Sequence, residues 1–207
     1  MNSLSHILDH QIVAIIRGAD PEDIFSIVEA LKVGGIRSLE ITINSPGALS
    51  VIEKISDRFG EDMLIGAGTV LDPETARSAI LAGARFIISP TLNTEVIRMT
   101  RRYGCISIPG AFTPTEILQA YEYGGEIIKV FPAILGASYF REIRGPLAQI
   151  PLMPTGGVNL ENVHDFKLAG AVAFGIGSAL VNTKEAVDDK YLEELTHRAK
   201  AFVSAVS

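Results

Sequence analysis

Two ionisable side chains stand in runs that otherwise read as buried β-strands. Lys129 lies near the carboxyl end of Gly124-Gly125-Glu126-Ile127-Ile128-Lys129-Val130-Phe131-Pro132, a run opened by a double glycine and closed by a proline. Glu40 lies within Ile36 to Asn44. A lysine amine relieved of its proton is a nucleophile, and a carboxyl group can take and return protons. Each residue also has a plainer use. The lysine can lie on an edge strand or carry its ammonium to water along its stem, and the glutamate can simply neutralise Lys129 or Arg17.

Other polar groups stand at the ends of similar runs. Arg17 closes Ile12 to Arg17, Thr69 closes a third run, and Thr155 follows a seventh in Met153-Pro154-Thr155-Gly156-Gly157. Gly175-Ile176-Gly177-Ser178 ends an eighth. Glycines at Gly156, Gly157 and Gly177 let backbone N–H groups approach a phosphate, and the start of a helix adds partial positive charge. The alternatives are tight turns for the glycines, helix caps for Thr69 and Thr155, and a solvated loop position for Arg17.

The elements that must position these groups are legible in the glycines. Gly34, Gly60, Gly83, Gly104, Gly124, Gly145 and Gly170 recur at intervals of 20 to 26 residues, each after a helix-like segment and before an apolar run. Each suits the left-handed position at a helix end. With the run before the first glycine, the pattern predicts eight strands alternating with eight helices in one (β/α)₈ barrel domain over 1–207. An extra N-terminal helix is expected over 3–9, and the final helix of the barrel over 190–206. Asp20-Pro21-Glu22-Asp23, Asp72-Pro73-Glu74 and Thr113-Pro114-Thr115-Glu116 each read as a cap with proline at the first helical position. A doubly wound open sheet is the rival, but Arg17-Gly18-Ala19-Asp20 is no nucleotide fingerprint and Gly66-Ala67-Gly68-Thr69 has the wrong spacing for a phosphate loop.

Strand parity then orients Glu40. Leu39, Ile41 and Ile43 share one face and Glu40, Thr42 and Asn44 the other; the apolar face must meet helices, so Glu40 points into the barrel. Parity alone does not orient Lys129, because both of its faces are apolar; the inward orientation is the one that gives its amine room near water at the barrel mouth.

The whole chain narrows the function classes. At 207 residues and 47% hydrophobic it can bury one large core. A net charge of −6 without a basic stripe argues against nucleic acid, while leaving room for a locally bound anionic small substrate. The first ten residues lack a signal peptide's pattern and no run reaches the length of a membrane span, so a cytoplasmic location is expected. Cys105, the single cysteine, reads as a small buried hydrophobe. His6, His10, His164 and His197 show no metal-ligand spacing, and neither a metal nor a cofactor is expected.

Over nearly its full length the chain resembles the class I 2-keto-3-deoxy-6-phosphogluconate (KDPG) and 4-hydroxy-2-oxoglutarate (KHG) aldolases. Gly35-Ile36-Arg37-Ser38-Leu39-Glu40-Ile41-Thr42 is similar to that family's acid/base motif, and Ile128-Lys129-Val130-Phe131-Pro132 to its Schiff-base motif. Gly66 to Val70, Ile88-Ser89-Pro90 and Pro154 to Val158 match as well. The resemblance implies that Lys129 forms an imine with the substrate keto group and that Glu40 is the general acid/base. It further implies that Thr69, Pro90 and Phe131 line the pyruvyl pocket and that Gly156, Gly157, Gly177 and Ser178 hold phosphate. One departure stands out. Where the better-known branch has a carboxylate-binding arginine four residues after the glutamate, this chain has Asn44, so the carboxylate is assigned to Arg17. Galactonate-specific relatives resemble the Asn44-Ser45-Pro46 stretch, yet carry valine where Thr155 stands. The expected reaction is cleavage of 2-dehydro-3-deoxy-6-phosphogluconate to pyruvate and D-glyceraldehyde 3-phosphate by a homotrimer, with 4-hydroxy-2-oxoglutarate as a further substrate. A 2-dehydro-3-deoxy-6-phosphogalactonate aldolase, a non-catalytic barrel that binds a phosphorylated keto acid, and a phosphosugar isomerase or epimerase are the competing readings.

Overall fold

A computed structural model of the chain describes residues 3–207. Its elements run α1 (Ser3–His10), β1 (Ile12–Ile16), α2 (Ile24–Val33), β2 (Ser38–Thr42), α3 (Ala48–Phe59), β3 (Leu64–Gly68), α4 (Pro73–Leu81), β4 (Phe86–Ile88) and α5 (Thr94–Arg102). They continue β5 (Ile106–Ile108), β6 (Gly110–Ala111), α6 (Pro114–Glu122), β7 (Ile128–Val130), α7 (Gly136–Arg144), β8 (Leu152–Pro154), α8 (Val163–Leu168), β9 (Phe174–Ile176) and α9 (Asp189–Val206).

All strand pairs are parallel, in the orders β5-β4-β3-β2-β1-β9 and β6-β7-β8. The two groups are one ring. β5 and β6 are halves of a single strand interrupted at Pro109, which has no N–H to give to a ladder, and a parallel bridge from Thr155 to Gly175 joins β8 to β9. The predicted eight-stranded barrel is therefore present.

Two apolar layers separate inside from outside. Leu39, Ile41, Ile128 and Val130 belong to the large cluster between strands and helices. Val13, Leu64, Phe86, Ile88, Ile108, Ile127 and Met153 form a smaller cluster within the ring, and Ile7 of α1 joins it and closes the amino-terminal end. Strand alternation therefore places Glu40 inside, as parity predicted. It also orients Lys129, which follows Ile127 on the inner face.

The caps before α4 and α6 are as predicted. Asp72 accepts the Thr75 N–H at 2.6 Å, and Thr113 and Glu116 form a reciprocal capping box. The cap before α2 differs. Pro21 lies in a turn in which Asp20 accepts the Glu22 N–H, and the helix starts only at Ile24. The glycine rule also needs correction. Gly83, Gly104, Gly124 and Gly170 have positive φ, whereas Gly34, Gly60 and Gly145 are right-handed. At Gly34 the requirement is space: a Cβ there would stand 3.0 Å from the Thr196 carbonyl and collide with Ala199, so the glycine lets α9 approach α2.

Candidate active site

Counting β5 and β6 as one strand, β2 and β7 are four strands apart in either direction around the ring. Glu40 and Lys129 thus face each other across the barrel. Both are buried, at 1% and 4% exposure. Among the described residues no ion pair within 4.0 Å involves either one, and Glu40 Oε2 has no hydrogen-bond partner.

Burial dominates the electrostatics of both groups. It pushes the Glu40 carboxyl above its ordinary value, against the opposing charges of Lys129 and Arg17. It pushes the Lys129 ammonium down, with Glu40 opposing and Arg17 assisting. Each group is driven towards neutrality, which for an amine is the nucleophilic form and for a carboxyl the proton-donating form. The Lys129 Nζ lies 4.8 Å from the centroid of the Phe131 ring.

Glycines clear the space these groups occupy. A Cβ on Gly68 would lie 2.5 Å from both Glu40 carboxylate oxygens. Gly68→Ala is therefore expected to displace the carboxylate and lower turnover by about 10², as a misplacement near 1 Å can. Stopped-flow turnover measured beside a thermal melt checks this; unchanged turnover in a folded variant would show that Glu40 has room to spare.

Arg17 follows β1 and is exposed. Its guanidinium donates to Thr69 Oγ1 at 3.2 Å and to Asn44 Oδ1 at 3.4 Å. Thr69 has φ 60, a left-handed conformation that costs a β-branched residue about 1–3 kcal/mol and clusters at functional sites. Pro90 follows β4 and lies against Gly110, where a Cβ would stand 2.8 Å from the Ser89 carbonyl. Thr155 faces inward, 3% exposed, and among the described residues its hydroxyl has no hydrogen-bond partner.

Gly156 and Gly157 take positive φ in the loop after β8. Gly177 and Ser178 follow β9, where the Leu180 and Val181 N–H groups return to the Gly177 carbonyl in a helical turn. Glu40 and Lys129 thus lie inside the barrel within β2 and β7, and the other predicted site residues follow the carboxyl ends of their strands. A cavity of about 510 Å³ between α2, α3 and α9, lined by Phe25, Val33 and Arg58 among others, lies outside the barrel and away from these groups. Sequence reasoning missed Ser45, which accepts the Gly18 N–H, Thr183, which donates to the Arg17 carbonyl, and the space-making role of Gly68. Ser45 stood within a noted stretch, whereas nothing local marked Thr183.

Residues 4–197 match the family model described as "Aldolase: KDPG and KHG aldolase". The chain belongs to this family of class I aldolases. Relatives of known name come from more than one branch of the KDPG/KHG aldolases. The chain is 35% identical over 196 residues to the 2-dehydro-3-deoxy-6-phosphogalactonate aldolase of Escherichia coli (strain K12), covering 94% of this chain and 93% of that one. It is 36% identical over 168 residues to the 2-dehydro-3-deoxy-phosphogluconate aldolase of Pseudomonas aeruginosa, covering 80% and 76%. KDPG aldolase from Legionella pneumophila superposes with a TM-score of 0.88 at 30% identity, over 97% of this chain and 98% of that one; its pyruvate was captured as a covalent carbinolamine. A carbinolamine is the adduct that precedes an imine. Among the described residues no helix is long and apolar enough to cross a membrane, and no group of three or more His, Cys, Asp or Glu residues is arranged to hold a metal ion.

Proposed function

We propose that the chain cleaves 2-dehydro-3-deoxy-6-phosphogluconate to pyruvate and D-glyceraldehyde 3-phosphate through an imine on Lys129. The observation that carries the reading is the buried, ion-pair-free placement of Lys129 opposite Glu40, with both groups driven towards neutrality.

The proton count starts from a neutral amine and a protonated carboxyl, the forms that burial favours. The neutral amine attacks the C2 carbonyl, and loss of water from the resulting carbinolamine consumes one proton, which Glu40 supplies. A protonated imine and a Glu40 carboxylate remain. The carboxylate takes the C4 hydroxyl proton, the C3–C4 bond breaks, its electron pair moves into the enamine, and the aldehyde leaves. Glu40 then returns the proton to C3, and water releases pyruvate and restores both neutral groups. Arg17 binds the substrate carboxylate, Thr69, Pro90 and Phe131 line the pyruvyl pocket, and Gly156, Gly157, Gly177 and Ser178 hold the phosphate. Borohydride added with pyruvate is expected to leave a reduced pyruvyl mass on the Lys129 peptide; its absence overturns the imine.

Thr155 supports the gluconate epimer. Its buried hydroxyl is unpartnered on the inner face, beside the strand that carries Lys129, where it can bond the C4 hydroxyl of one configuration. The galactonate reading draws its support from Asn44 and from the 35% identity to the E. coli enzyme. Comparing kcat/KM for the gluconate-type, galactonate-type and hydroxyglutarate substrates separates the readings. Thr155→Val is expected to lower kcat/KM for the gluconate type by about tenfold, the worth of one hydrogen bond, with little change for the galactonate type. Equal losses on both would show that Thr155 does not read C4. In the homotrimer that the resemblance implies, exposed Ile134, Leu135 and Leu160 are candidates for burial between copies.

A further inference from the structure

Arg17 is an exposed arginine on the rim of the barrel, and a free side chain of this kind samples many rotamers. It is instead held from three other loops. Thr69, after β3, and Asn44, after β2, each accept from the guanidinium. A guanidinium has only donors, so Asn44 must turn its amide oxygen towards Arg17. Ser45 accepts the N–H of Gly18 at 2.8 Å and shares a hydroxyl–hydroxyl hydrogen bond of 2.9 Å with Thr42, which is fully buried on the inner face of β2. Thr183, beyond β9, donates to the Arg17 carbonyl at 2.7 Å. The peptide unit that follows the Arg17 Cα is thus gripped at both its carbonyl and its N–H, and the side chain is gripped at both terminal nitrogens.

We propose that Asn44, Ser45 and Thr183 are positioning residues that act on the reaction by presenting the Arg17 guanidinium to the substrate carboxylate. The proposal rests on the reading above that Arg17 binds that carboxylate. In this arrangement Asn44 is not a substrate ligand but a brace: an acceptor at this position steadies the arginine that stands at the end of β1.

A double-mutant series with pyruvate as the probe tests this, reading the pyruvate concentration that half-saturates borohydride trapping and the kcat at saturating substrate. Asn44→Ala, Ser45→Ala and Thr183→Val are each expected to raise half-saturation about five- to tenfold while kcat stays within about twofold, and Ser45→Thr, which keeps a hydroxyl, to stay near the parent. On an Arg17→Ala background the same substitutions are expected to add nothing, because residues that act only through Arg17 have nothing left to position. Single variants with unchanged half-saturation, or effects that multiply on the Arg17→Ala background, overturn the brace. Arg17→Ala with unchanged half-saturation is a different failure: it overturns the assignment of the carboxylate to Arg17, and the brace with it. Melting curves for each variant exclude loss of fold as the cause, and Thr183→Val retains the side-chain volume.

Discussion

Lys129→Met is expected to abolish trapping of pyruvate, to lower turnover by on the order of 10⁴ or more, as loss of a catalytic nucleophile does, and to leave the barrel at least as stable as the parent. The two effects have one cause. A buried amine is useful because burial disfavours its charged form, and the same burial costs stability whenever it is charged. Methionine fills a similar volume without a charge. Removing the lysine does not strand a carboxylate, because burial already drives Glu40 towards its neutral form.

The pH dependence has a definite sign. In the unfolded chain the amine titrates at its ordinary value of 10.5; in the fold it titrates lower. Above 10.5 both states are neutral and the lysine contributes no penalty. As pH falls towards the lowered value, protonation favours the unfolded chain, and below that value the whole penalty is present. The stability gain of Lys129→Met, about 1 kcal/mol or 2–4 °C in midpoint, is therefore expected near neutral pH and to shrink as pH approaches 10.5. Thermal denaturation across that range measures it. A gain that grows with pH contradicts a lysine held discharged by burial, and an adduct that forms without Lys129 contradicts its role as nucleophile.

Glu40→Gln is expected to lower turnover by about 10² to 10⁴ while pyruvate trapping on Lys129 persists, reached more slowly. Glutamine keeps the shape of the protonated acid that burial favours but can neither supply the dehydration proton nor take the C4 hydroxyl proton. The sign for stability is opposite to that for lysine. Glu40 titrates above its ordinary value of 4.5 in the fold, so its contribution is fully present below 4.5 and is lost as pH rises through the raised value. The advantage of Glu40→Gln over the parent should then grow with pH above 4.5. Pre-steady-state rates of imine formation and of C3–C4 cleavage separate the two steps. Turnover at the parent rate would reduce Glu40 to a counter-charge for Lys129.

What was legible in the sequence follows from signals that repeat or act locally. Alternation of apolar runs and glycines specified the barrel, because each unit needs a strand and a helix of nearly constant length. Asp72 and Thr113 announced α4 and α6, because a cap and the N–H groups it satisfies lie within a few residues of each other. Glu40 could be turned inward from β2 alone, since only one face of that strand is polar. Handedness could not be assigned to every glycine from its position, because a glycine can serve conformation or clearance, and Gly34 and Gly68 serve clearance against residues that are remote in the chain.

Sequence by itself determined the barrel, the presence of a lysine and a glutamate on its strands, and the glycine loops at its rim. The tertiary structure alone decided that Lys129 faces Glu40, since both sides of β7 are apolar and only the closed ring tells inside from outside. It also decided how Arg17 is held. Its partners Asn44, Thr69 and Thr183 lie 27, 52 and 166 residues away, a separation that no local pattern encodes. Periodicity specifies which elements form, whereas contacts across the mouth exist only once closure of the barrel has brought the ends of distant strands together.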